Sequence, residues 1–109
     1  HVGNALMEYA YQIARWHHER WDGKGYPDGL KGDEIPIAAQ VVSVADVYDA
    51  LTSVRVYKDA IPHKEAIQMI LDGKCGEFNP LLLDCLLEVQ DRIAETLARP
   101  ADVVAFPTI

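Results

Sequence analysis

Apolar positions set the outline of the chain. Between residues 4 and 19 they recur at Leu6, Tyr9, Ala10, Ile13 and Trp16, the three-and-four spacing that gathers them on one side of a helix. His17 and His18 fall at the end of that helix. From Arg20 to Ile35 the pattern breaks at Gly23, Gly25, Gly29 and Gly32, and Pro27-Asp28-Gly29 is a strong turn signal. Pro36 suits the first turn of a second helix, along which Ile37, Val41, Val44, Tyr48 and Leu51 repeat. This helix is expected to fade near Ser53. Pro62 opens a third, with Ala66, Ile67, Ile70 and Leu71 inward and Gly73 as its stop. Pro80 opens a fourth, carrying Leu82, Leu83, Leu86, Val89, Ile93 and Leu97, and Pro100 ends it. The tail from Ala101 to Ile109 is apolar with little pattern.

The periodicity therefore predicts an all-α fold, a bundle of about four main helices, with no repeat, low-complexity tract or interdomain linker. Its 109 residues suit one domain with a modest core, since half of them are apolar. Two features are odd for an autonomous unit. The first helix begins with almost no lead-in, and the fourth is apolar on more than one side, with Leu81, Leu82 and Leu83 consecutive. Such an excess implies a missing packing partner, either another subunit or an absent part of the chain.

The net charge of −7 argues against a duplex DNA or RNA partner, while leaving room for a small phosphorylated ligand held by locally concentrated positive charge. No run reaches the roughly 18 apolar residues of a membrane span, and no leader pattern is present. Cys75 and Cys85 lack zinc-like spacing and read as ordinary thiols of a cytoplasmic protein.

Three groups of residues could carry chemistry. Asp46 sits in Val44-Ala45-Asp46-Val47-Tyr48, midway along an apolar helix. A buried carboxylate there needs a partner, because burying an unpaired charge costs several kcal/mol. A metal ion would serve, and so would Arg15. His17 and His18 supply imidazoles that the loop can bring alongside; the alternative is that they are solvated or cap the last carbonyls of the helix. Histidine with aspartate, and no thiolate, suits iron, manganese or another borderline-to-hard metal. Arg55 and Lys58, three apart with Tyr57 beside them, form a second group that can converge on a phosphate diester or remain two solvated charges. Tyr26, its backbone set by Pro27, presents an aromatic ring at the loop tip. Glu19 reads as an exposed helix-end carboxylate or as support for a histidine, the first being expected; Asp49 and His63 read as local anchors.

In order, His17-His18-Glu19, Asp22-Gly23, Gly25-Tyr26-Pro27, Gly29-Leu30, Gly32, Ile35-Pro36, Val44-Ala45-Asp46, Asp49-Ala50-Leu51-Thr52-Ser53, Arg55, Tyr57-Lys58, and Phe78 with Pro80 resemble the HD-GYP domain, a bacterial subgroup of the HD phosphohydrolase superfamily. About two thirds of the chain takes part. The resemblance implies a partial HD-domain fold and a phosphodiesterase that opens cyclic di-GMP to pGpG or GMP on a bi- or trinuclear iron or manganese centre. By position, it implies His17, His18 and Asp46 as metal ligands, Arg55 and Lys58 as holders of the substrate phosphates, and Gly25, Tyr26 and Pro27 as the element governing substrate access and docking of diguanylate cyclase (GGDEF) domains. The family's His-Asp dyad, a following lysine and a further histidine lie upstream of its matching region. Residues 1–109 are thus expected to be the C-terminal part of one HD-GYP domain, with little turnover and weak or no metal binding in isolation. His1 stands two positions before Gly3 rather than the family's four, and is not assigned as a ligand. Val56 replaces a usual proline and Asn79 a usual aspartate; Asn79 can still cap the helix that starts at Pro80. The alternative reading is a catalytically degenerate module acting through protein interaction or ligand binding. The unpaired apolar side predicts self-association, as in a dimer where each chain covers the other's gap.

Overall fold

The computed structural model describes residues 2–54 and 58–97. Their architecture is all-helical: α1 spans Val2–Trp16, α2 Ile37–Thr52, α3 His63–Leu71 and α4 Pro80–Leu97. A single 3₁₀ turn, Gly32–Glu34, interrupts the loop between α1 and α2 and was not foreseen in the sequence. Helices pack in chain order, α1 on α2, α2 on α3 and α3 on α4.

The punctuation works as its chemistry requires. Pro36 and Pro62 occupy the positions just ahead of α2 and α3, where no backbone donor is lost from the helix. At the end of α3, Lys74 N–H donates to the Met69 carbonyl at 3.0 Å and Gly73 N–H to Ile70 at 3.2 Å. This is the Schellman pattern, and it requires the positive φ of +78° that Gly73 adopts. Asn79 caps α4: its side-chain oxygen accepts from Leu81 N–H at 2.9 Å. Its amide nitrogen donates to Gln40 Oε1 at 3.0 Å, and Gln40 Nε2 donates to the Ile35 carbonyl at 2.8 Å. Asn79 and Gln40 are both buried. A carboxylate at position 79 could cap but could not donate, so asparagine is the residue that completes this relay between α4 and α2.

The core is small. Val44, Ile67, Ile70, Phe78 and Leu86 form it, flanked by Val47, Tyr48, Leu51, Leu71, Cys75, Leu82, Leu83 and Ile93. Ile70 is fully enclosed, which contributes about 2 kcal/mol by burial alone. The expected inward face of α3 is the observed one. Elsewhere the expectation is only half met. Leu6 and Tyr9 of α1 and Ile37 and Val41 of α2 are exposed, while Ala39 and Gln40 are buried instead. Among the described side chains of α1, those partly covered are Gln12, Ile13 and Trp16, toward its C-terminal end. Leu81 of α4 is 71% exposed. An apolar groove of about 500 Å³ runs between α2 and α4, with Val41, Ala45, Leu82, Val89 and Ile93 among its lining. Cys75 and Cys85 are free thiols. No described helix is long and apolar enough to cross a membrane.

Candidate functional site

The α1–α2 loop is built around Glu19, which is 3% exposed. Its carboxylate accepts three backbone N–H groups, from Asp28 at 2.6 Å, Gly29 at 3.0 Å and Leu30 at 2.8 Å. The expectation of an exposed helix-end glutamate is therefore wrong. α1 ends at Trp16, so the turn of residues 17 and 18 directs Glu19 inward beneath the loop. Three charge-assisted bonds offset the burial of the carboxylate and hold the far limb of the loop.

Asp28 ties the same limb to α1. Arg15 donates to it through Nε and Nη2, both at 2.9 Å, and Trp16 Nε1 donates at 2.7 Å. The Arg15 hydrogen bonds first, then that of Trp16, hold the Asp28 carboxyl below the usual carboxylate range. Arg15 is thus the partner of Asp28 and not of Asp46.

Gly25 is required by close approach. A Cβ there would come within 3.0 Å of three backbone atoms, the His18 carbonyl oxygen, Arg20 N and Glu19 Cα. With no side chain at 25, the next residue lies over the histidine turn. The Tyr26 ring stacks on His18 with centroids 5.0 Å apart and planes 16° apart. The Tyr26–Pro27 peptide is cis. Tyr26 keeps 61% of its surface in solvent.

His17 and His18 lie 3.9 Å apart, centroid to centroid. His17 Nδ1 is 2.7 Å from the Ile13 carbonyl. A carbonyl only accepts, so Nδ1 is the donor here, which in the neutral form of the ring leaves Nε2 as the lone-pair nitrogen. This is the orientation that a metal-binding imidazole needs.

One cleft, about 240 Å³, is lined by His17, His18, Arg20, Tyr26, Ser43, Asp46 and Val47. The loop thus brings the histidine turn and the middle of α2 to a common space. Within it Asp46 is exposed, contrary to the expectation of a buried carboxylate. The face of α2 that bears it is uncovered, so no desolvation cost calls for a partner. Among the described residues, no three histidine, cysteine, aspartate or glutamate side chains are gathered closely enough to hold an ion. The donors suit a metal in kind but do not complete a ligand set.

The expected phosphate pair is divided. Arg55 lies outside the described residues, as do Val56 and Tyr57. Lys58 does not line the cleft; its Nζ donates to the carbonyls of Leu51 at 3.2 Å, Ser53 at 3.0 Å and Asp59 at 3.0 Å. Three ammonium donors meet three acceptors, and Lys58 closes the C-terminal end of α2. Asp49 anchors the same end, accepting from Ser53 Oγ at 3.1 Å. His63 Nδ1 bonds Tyr48 Oη at 2.7 Å, linking α3 to α2, and its buried Nε2 meets no hydrogen-bond partner among the described residues. Burial pushes the Tyr48 hydroxyl above its ordinary range.

Sequence reasoning passed over Arg20 and Ser43. Neither has a spacing signal, because each reaches the cleft only through the fold of the loop against α2.

An HD domain family model matches residues 4–80. The chain belongs to the HD domain family. Its HD domain is also similar to bacterial proteins that carry the expected HD-GYP character. It is 46% identical to a Vibrio cholerae protein named probable cyclic di-GMP phosphodiesterase, over 90% of this chain and 22% of the relative. It is 41% identical to a cyclic di-GMP phosphodiesterase of Thermotoga maritima, over 89% of this chain and 26% of the relative. Identity is 44% to the 3'3'-cGAMP-specific phosphodiesterase 2 of Vibrio cholerae, over 79% of this chain and 16% of the relative. The HD domain sequence thus spans about a fifth of the length of these curated relatives.

Proposed function

We propose that this chain is the C-terminal part of an HD-GYP domain and contributes one wall of a metal-dependent phosphodiesterase site for a cyclic dinucleotide, cyclic di-GMP first. The observation that carries this reading is the shared cleft of His17, His18 and Asp46, roofed by a loop that Glu19 pins and Gly25 lets close. The relatives' names support the substrate class, and one of them extends it to a second cyclic dinucleotide.

In this reading His17 Nε2, the His18 imidazole and the Asp46 carboxylate are part of a ligand set completed by residues outside this chain. Iron or manganese held there would supply Lewis acidity and a nucleophile at neutral pH. The chain's own part is to orient. The Ile13 carbonyl fixes the His17 tautomer, Tyr26 holds the His18 ring, and the loop sets the width of the entrance. The exposed Tyr26-Pro27 tip is the proposed contact for a diguanylate cyclase domain, and the uncovered apolar faces are the proposed contact for a second copy.

Elemental analysis of the full-length protein that carries this chain tests the site. His18→Ala and Asp46→Asn should each lower bound iron or manganese and reduce hydrolysis of cyclic di-GMP at least tenfold, the scale seen even for outer-shell changes. Full metal content in both variants would remove these residues from the site. A full-length protein that binds cyclic di-GMP without cleaving it would favour the degenerate binding module.

A further inference from the structure

A cyclic dinucleotide carries two phosphodiester charges, and this chain has a net charge of −7. Binding therefore needs positive charge inside the cleft. Arg15 is committed to Asp28, and the Lys58 ammonium is committed to three carbonyls outside the cleft. Among the described residues, Arg20 is the only lysine or arginine that lines the space shared by His17, His18 and Asp46. Its guanidinium makes no hydrogen bond or ion pair with any described side chain.

Arg20 is also held in place. Its carbonyl accepts from Gly23 N–H at 2.9 Å, and the preceding residue is Glu19, bound by three amides. The side chain reaches to the α3–α4 connection, where Nη1 and Cζ lie 3.5 and 3.7 Å from the position a Cβ on Gly76 would take. The guanidinium thus rests beside the Gly76 backbone, and no described acceptor takes its N–H groups. A planar guanidinium with free donors matches two oxygens of one phosphate.

We propose that Arg20 binds a phosphodiester oxygen of the substrate within this cleft. The proposal rests on the functional reading above and adds to it a residue that sequence spacing did not single out.

The test uses the full-length protein with Arg20→Gln and Arg20→Lys. Glutamine keeps the first part of the stem and a polar amide but removes the guanidinium and its charge. Binding of cyclic di-GMP to protein stripped of metal by chelation is measured by calorimetry, beside KM, kcat and metal content of the loaded enzyme. Arg20→Gln should weaken binding about tenfold or more and raise KM, with metal content unchanged, as loss of a charge-assisted phosphate contact requires. Arg20→Lys should recover part of the affinity, because the charge returns without the fork. A purely structural role would lower thermal stability in both variants alike and would give lysine no advantage. Affinity and KM within twofold of wild type in Arg20→Gln would overturn the proposal. Wild-type protein that neither binds nor cleaves cyclic di-GMP would overturn the functional reading, and this inference with it.

Discussion

At the scale of single residues, the loop depends on two side chains and on the absence of a third. Glu19 gathers three backbone donors, Asp28 gathers Arg15 and Trp16, and Gly25 leaves the space through which the chain passes over His18. Obstruction at position 25 comes from backbone atoms, which cannot rotate away as a side chain can. Gly25→Ala should therefore cost about 2 kcal/mol or more, the range for strain in a packed site. Tyr26 should also lift from His18. Urea unfolding would report the first effect, and the histidine ring resonances of residue 18 would report the second; a variant unchanged in both would mean that the loop closes by other contacts. The two carboxylates near the site show how position overrides type. Glu19 was expected in solvent and lies inside, whereas Asp46 was expected inside and lies in solvent. Both depend on where the α1–α2 loop turns, a distance relationship that neither residue encodes locally.

At the scale of elements, the ends of helices were legible because they are local chemistry. Pro36, Pro62, Gly73 and Asn79 act within a few residues of themselves, and each stands where its backbone preferences place it. The connection between α1 and α2 was legible only as a turn-rich stretch. Its attachment to α1 through Asp28 makes that attachment sensitive to acid. The Asp28 carboxyl is held below its ordinary range in the folded chain, so its contribution is complete above the unfolded value of about 3.9 and disappears as pH falls through the lower folded value. Wild type should exceed Asp28→Asn in thermal midpoint at neutral pH, with the gap closing only below about pH 4. A gap that stayed constant from neutral pH into that acid range would show that the carboxylate charge does not anchor the loop. Both groups are exposed, so added salt should narrow the gap.

At the scale of the whole molecule, the described helices leave much apolar surface unpaired. Leu6, Tyr9, Ile37 and Leu81 are exposed, and the groove between α2 and α4 is lined almost entirely by aliphatic side chains. Patches of this kind on a chain this small favour association. The 109-residue chain prepared alone should elute above its 12.1 kDa mass in a concentration-dependent way and bind an apolar dye. Val41→Glu with Val89→Glu, on opposite walls of the groove, should shift it toward monomer. A chain that is monomeric at high concentration and silent to the dye would refute this account of the groove.

Taken alone, the sequence determined the helical class, the four helices to within a few residues, the buried face of α3 and membership in the HD domain family. These follow from periodicity, from prolines and glycines acting on their own backbone, and from a long ordered motif, all of which are readable along one dimension. Tertiary structure decided which stripes are covered, that Glu19 is buried and pins the loop, that Lys58 closes α2, and that Arg20 and Ser43 join His17, His18 and Asp46 around one cleft. Those outcomes turn on how far apart residues of different elements come to rest. Spacing within one element says nothing about that distance.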